Sequence, residues 1–206
     1  VAVPMNVMYE AGELAHILRD SGAQLLITWA GVAEEAAKAA ADIGLTELYV
    51  LTTPGLPQSA IGHPFERLLT QAPSGRPPMY QSDPGATAVI IYTAGTTGRP
   101  KGAELTHFQL FMNADTPGRM FGIRDDDVVL VALPMFHVFA LSSIVDICVR
   151  FGATMSLVPR FEPGAVLEAM ERDRVTVFEG VPTMYVAMLN HPGVEERDLS
   201  ALRVAI

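Results

Sequence analysis

The chain is poor in several residue types, and each scarcity narrows what it can be. One cysteine, Cys148, stands among 206 residues, so no internal disulfide is possible and a reducing, cytoplasmic setting is expected. Positive charge is short: 14 Lys plus Arg face 23 Asp plus Glu, for a formal net charge of -9. That balance argues against a protein that coats nucleic acid, because such work needs a basic surface to displace counterions. Lysine occurs twice, at Lys38 and Lys101. The chain does not open on a basic stretch followed by an apolar run and a small-residue cleavage site, which argues against secretion. Val128–Val145 carries no charge and just meets the lower length for a membrane span, but Pro134 and His137 interrupt it. A strand, a loop and the start of a helix account for it better.

What is present is a globular composition. Hydrophobic residues make up 50% and charged residues 18%, enough for one or two domains with a sizeable core. The sequence starts Val1-Ala2-Val3-Pro4 and stops inside the apolar Leu202–Ile206, so a piece of a longer protein is expected, one that self-associates through uncovered sheet edges.

Hydrophobic periodicity alternates along the chain. Leu14, Ile17 and Leu18 share one face of a helix over 11–20, with Gly22 as its stop. A strand over 24–28, an alanine-rich helix over 32–43 closed by Gly44, and a strand over 46–51 follow. Residues 53–84 hold seven prolines around one short helical stretch, 65–69, and read as a long surface connection. A strand over 87–92 leads into a loop from Thr93 to Gly102, and Thr106 caps a helix through Met112. Strands at 128–133, 153–158, 175–178 and 202–206 then alternate with helices at 140–149, 165–172 and 183–189. The fold class is therefore α/β, built of parallel βαβ units with helices over the sheet faces.

The chemistry is concentrated in Tyr92-Thr93-Ala94-Gly95-Thr96-Thr97-Gly98-Arg99-Pro100-Lys101-Gly102. Glycines let backbone N–H groups approach an anion closely, and the threonine hydroxyls and Lys101 add donors, so polyphosphate is the natural ligand. Loops at the carboxyl ends of parallel strands are where such sheets bind ligands. A Walker loop needs Gly before the Lys and Ser or Thr after it, and Pro100 and Gly102 stand there instead. The glycine spacing of a dinucleotide fingerprint is also absent.

This segment resembles the phosphate-binding signature of the adenylate-forming enzymes, the superfamily of acyl-CoA synthetases, peptide-synthetase adenylation domains and luciferases. It departs from that pattern at Ala94, where the family usually has Ser. The resemblance extends to Val3–Asn6 and Leu18–Ala23, to Leu133-Pro134-Met135-Phe136-His137-Val138-Phe139, and to Gly180-Val181-Pro182-Thr183-Met184. It implies that residues 1–206 are part of a large layered αβαβα N-terminal domain whose C-terminal partner domain is lacking.

The resemblance also implies a two-step reaction with ATP, Mg²⁺ and coenzyme A. A carboxylate attacks the α-phosphate of ATP, and a thiol then displaces AMP from the acyl-adenylate. Thr93 would bear on the phosphates and Mg²⁺, while Ala94, Gly95, Thr96, Thr97, Gly98, Lys101 and Gly102 would hold the phosphates. His137 would position the carboxylate, and Phe136, Val181 and Met184 would line the acid pocket. Without the resemblance, Met184 and Met188 are an i, i+4 pair of the kind found in ordinary cores. His16, His63 and His191 lack any constellation around them.

The family's amino-acid-activating members place an Asp beside the aromatic residue of the second motif, whereas Phe136-His137-Val138-Phe139-Ala140 has none. An amine-free acid is favoured, with a medium or long fatty acid preferred over an aryl acid. The family's adenine motif, ribose-binding Asp and C-terminal lysine do not occur, so this stretch alone is expected to be inactive. Two other readings stand beside a ligase: a non-catalytic binding or dimerisation module of the same fold, and a P-loop hydrolase, which Pro100 and Gly102 disfavour.

Overall fold

The computed structural model describes residues 1–55, 57–70, 75, 80–93 and 99–206. Ala94–Gly98, the centre of the glycine-threonine segment, lie outside the described residues, as do parts of the proline-rich stretch. The chain divides into two compact units, Val1–Leu105 and Thr106–Ile206.

The first unit opens on helix α1 (Ala11–Asp20), whose buried Leu14, Ala15, Ile17 and Leu18 follow the expected stripe. Strand β1 (Leu26–Trp29) leads through a 3₁₀ turn into α2 (Ala33–Ile43), which Gly44 closes at φ 71°, a left-handed stop that suits glycine. Glu35 on α2 accepts from the Ala11 N–H at 2.9 Å and satisfies one of the orphan donors at the start of α1. Strand β2 (Leu48–Leu51) pairs in parallel with β1, and β3 (His63–Pro64) pairs in parallel with β2. The short helix α3 spans Glu66–Thr70. Leu14, Leu18, Leu26, Ala33, Ala36, Leu48 and Val50 form the core between the helices and this sheet.

Strand β4 (Thr87–Thr93) pairs with β5 (Lys101–Thr106), and Ala2 bridges in parallel to Val89. β5 corrects the sequence reading, which left Lys101 and Gly102 in a loop and gave 103–105 no element. Its polar start shows no apolar alternation, so the ladder to β4 makes it a strand rather than its own composition.

The second unit begins with α4 (His107–Met120), where Thr106 Oγ1 accepts from Gln109 N–H at 3.2 Å and the Gln109 side chain accepts from Thr106 N–H at 2.9 Å. This capping box was expected, but the helix passes Met112 and continues through Pro117. Packing overrides the local penalty: Gly118 lies under Phe151, and Asp115 pairs with Arg150 at 2.8 Å.

Strand β6 (Val128–Val131) is followed by α5 (Val138–Ala140), a π-helical turn (Leu141–Val145) and α6 (Asp146–Phe151), closed by Gly152 at φ 78°. β7 (Thr154–Leu157), α7 (Pro163–Arg172), β8 (Val177–Phe178), α8 (Pro182–Leu189) and β9 (Val204–Ala205) complete the unit. The strands form one parallel sheet in the order β7-β6-β8-β9, in register at Val129 with Val177 and Leu130 with Phe178. Side chains alternate across it: Val129, Val131 and Val177 join Ala140, Ile144 and Cys148 on one face, and Leu130 and Phe178 join Val166, Leu167 and Met170 on the other. The parallel α/β class is thus as expected. Among the described residues no helix is long and apolar enough to cross a membrane.

Candidate functional site

In the first unit the motif occupies the ends of two paired strands. Thr93 ends β4 with its side chain exposed, and Lys101, also exposed, opens β5. Gly102 is required where it stands, because a Cβ there would lie 2.8 Å from Ile90 Cγ2 and 3.1 Å from the Tyr92 ring. Tyr92 is buried, and its hydroxyl donates to Asp20 Oδ2 at 2.7 Å. Burial first, and then the Asp20 carboxylate, push the Tyr92 phenol up to about 12, so it stays a protonated donor at any ordinary pH.

His16, which the sequence left without a constellation, has its Nε2 3.2 Å from the Pro100 carbonyl oxygen. His16 and Asp20 sit four residues apart on α1 and meet the motif on either side of its undescribed centre. Sequence reasoning missed both, because the polar face of the amphipathic α1 does not by itself say what it meets.

In the second unit His137 precedes α5 with an extended backbone, φ -84° and ψ 139°, and its N–H donates to the Pro134 carbonyl at 3.0 Å. Its ring is exposed and makes no hydrogen bond among the described residues, unlike a satisfied core histidine. Phe136 is half-buried beside it. Val181, 38% exposed, precedes α8, and Met184 is half-buried against the Phe178 side of the sheet. Phe136 and His137 follow β6 while Val181 follows β8, and these two strands are neighbours, so their carboxyl ends adjoin.

Two buried acids also went unnoticed in the sequence. Glu179 is 4% exposed and has no hydrogen-bond partner among the described residues, and burial pushes its carboxyl up to about 7. Asp146 Oδ2 is buried without a partner among the described residues, and burial raises that carboxyl too. Among the described residues no group of three or more His, Cys, Asp or Glu could hold a metal ion.

The model of the AMP-binding enzyme family matches residues 1–206. A feruloyl-CoA synthase of Amycolatopsis sp is 37% identical over all of this chain, and the match takes up 38% of that enzyme. A long-chain-fatty-acid–CoA ligase of Bacillus subtilis is 36% identical over 118 residues, 56% of this chain and 21% of that enzyme. The ATP-bound crystal structure of MatB from Rhodopseudomonas palustris superposes with a TM-score of 0.82 at 27% identity, covering 100% of this chain and 39% of that one. The chain thus spans well under half the length of these relatives. With the family model matched from the first residue to the last, on a parallel α/β scaffold, this chain belongs to the AMP-binding enzyme family.

Proposed function

We propose that the complete protein is an ATP-dependent carboxylic acid–CoA ligase acting on an aromatic acid, with residues 1–206 as part of its N-terminal domain and 53–84 as a connection within it. A carboxylate oxygen of the acid forms a bond to the α-phosphorus of ATP as the bond to the leaving pyrophosphate breaks. The coenzyme A thiol, losing its proton, then attacks the acyl carbon and expels AMP. Both partners of the first step are anions, so the site's task is to neutralise charge and hold them in line.

In this reading Lys101 and Thr93 meet the phosphates together with the backbone donors of Ala94, Gly95, Thr96, Thr97, Gly98 and Gly102. Mg²⁺ keeps several waters and binds chiefly through substrate phosphates, so the single hydroxyl of Thr93 fits it without a dedicated cage of carboxylates. When bound, the ion would neutralise charge on the departing pyrophosphate. His137 and Phe136 orient the acid, and Val181 and Met184 contribute to its pocket.

The observation that carries the aromatic preference is the similarity to a feruloyl-CoA synthase along the entire chain. A medium- or long-chain fatty acid is the second reading, favoured by the match to the Bacillus subtilis ligase over 56% of this chain. The test uses the complete reading frame containing these 206 residues, supplied with ATP, Mg²⁺ and coenzyme A. AMP release with hydroxycinnamic acids above that with C8–C16 fatty acids is expected. The reverse order would install the second reading, and no AMP release with any acid would favour a non-catalytic module.

A further inference from the structure

The motif's flanks are held from outside the motif. Tyr92 lies directly before Thr93, and Pro100 directly before Lys101. Each of these flanking residues is fixed by a side chain of the same helix: Asp20 accepts from the Tyr92 hydroxyl at 2.7 Å, and His16 Nε2 sits 3.2 Å from the Pro100 oxygen. With a carbonyl as its partner, His16 is the donor, which sets Nε2–H as the working tautomer. The opposite side of α1 is anchored in the core, with Ile17 and Leu18 buried and Leu14 packed among Leu26, Ala36 and Val50. The helix is therefore a rigid support, and its two polar side chains are the arms that reach the motif.

We infer that His16 and Asp20 are positioning residues for ATP, setting the places of Lys101 and Thr93 through Pro100 and Tyr92. Both act through the residues they hold and not on the nucleotide itself. Asp20 holds Tyr92 at the end of β4 so that Thr93 is aimed, and His16 fixes the carbonyl that precedes Lys101. Tyr92 serves as a dependable donor because its phenol remains protonated. The inference rests on the proposal that Lys101 and Thr93 meet the phosphates of ATP.

The test is steady-state kinetics of the complete protein with Asp20→Ala, Tyr92→Phe, the double variant, His16→Ala and His16→Gln. The bond lost in the first two acts on the nucleotide only indirectly, through the placing of Thr93, so only part of its strength reaches ATP and the KM for ATP should rise about three- to tenfold in each. The double variant should rise no further than either single one, since both break the same link. His16→Ala should raise the same KM about threefold, and His16→Gln, which can still donate, should restore it. The KM for the carboxylic acid should stay where it was, whereas a merely structural defect would lower the active fraction and leave both KM values alone.

Should Asp20→Ala not fold, Asp20→Asn and Tyr92→Phe carry the same comparison. An ATP KM within twofold of wild type in all variants, or fully additive effects of Asp20 and Tyr92, overturns the inference. Lys101→Met separates the two levels: if it leaves the KM for ATP unchanged, the phosphate reading falls and the positioning role with it. If it abolishes ATP binding while the α1 variants do nothing, the positioning role alone falls.

Discussion

Replacing Asp127 by alanine should destabilise the second unit more than any surface ion-pair substitution. Asp127 is 1% exposed and lies just before β6. Its Oδ1 accepts from Thr176 Oγ1 at 2.7 Å and from Arg203 Nε at 3.1 Å, and its Oδ2 accepts from the Arg124 N–H at 2.8 Å and from Arg203 Nη2. Thr176 precedes β8 and Arg203 precedes β9, so one carboxylate ties together the entries to three neighbouring parallel strands. Arg203 also donates to the Phe121 carbonyl at 3.2 Å and the Gly122 carbonyl at 2.8 Å, holding the end of α4.

Breaking a fully buried pair by removing one partner costs about 3–5 kcal/mol. The Arg203 side chain is 30% exposed, so water takes up part of its loss, and the lower end, about 3 kcal/mol, applies. For a unit of this size that is a drop in Tm of about 10–20 °C, read by circular dichroism melts and urea titration. The pH dependence supplies a second check. Burial alone would raise the Asp127 carboxyl, but Arg203, Thr176 and the Arg124 N–H outweigh it and hold it below the usual carboxylate range. The folded value lies under the unfolded one, so the stabilisation is complete above the unfolded value of about 3.9 and is lost as pH falls through the folded one. The gap between wild type and Asp127→Ala should therefore close on acidification below about pH 4. A loss smaller than about 1 kcal/mol at pH 7, the size of an exposed pair, would refute the claim that Asp127 is the common tie of these strands.

Gly118→Ala in α4 should destabilise by about 1–3 kcal/mol, because its Cβ would lie 2.2 Å from a Phe151 ring carbon on α6. An exposed helical glycine would gain about 1 kcal/mol from the same change, so a higher midpoint in urea would contradict this packing, and Phe151→Leu should relieve it. Glu179 makes stability fall with rising pH: burial lifts its carboxyl from 4.5 to about 7, so its contribution is full below the unfolded value and lost as pH passes the folded one. The loss amounts to about 3 kcal/mol between pH 4.5 and 7, and Glu179→Gln should flatten the unfolding free energy over that window if Glu179 is its source.

The sequence announced its elements wherever a segment's own pattern matched its surroundings. Leu14, Ile17 and Leu18 placed α1 within its observed bounds, and Gly44 marked the end of α2. Failure came where a partner distant in the chain decided the outcome. Lys101-Gly102-Ala103-Glu104 has no strand pattern of its own and becomes β5 by pairing with β4, where Thr87 Oγ1 donates to Glu104 Oε2 at 2.6 Å. Pro117 would end a helix in isolation, and α4 carries it because Gly118 and Asp115 are engaged with α6.

The same physics separates what was readable in the candidate site from what was not. Glycine, hydroxyl and cation are the residue types best suited to meet a phosphate, so Thr93, Lys101 and Gly102 stand out by residue type alone. A group that braces them is under no such constraint. His16 reaches a backbone carbonyl 84 positions away, and main-chain oxygen leaves no signature in a sequence. Asp20 reaches a phenol 72 positions away that itself reads as a strand residue. Their four-residue spacing was visible, but it has the same appearance whether a polar helix face meets water or holds a loop. Only the fold, which lays that face against the ends of β4 and β5, tells the two apart.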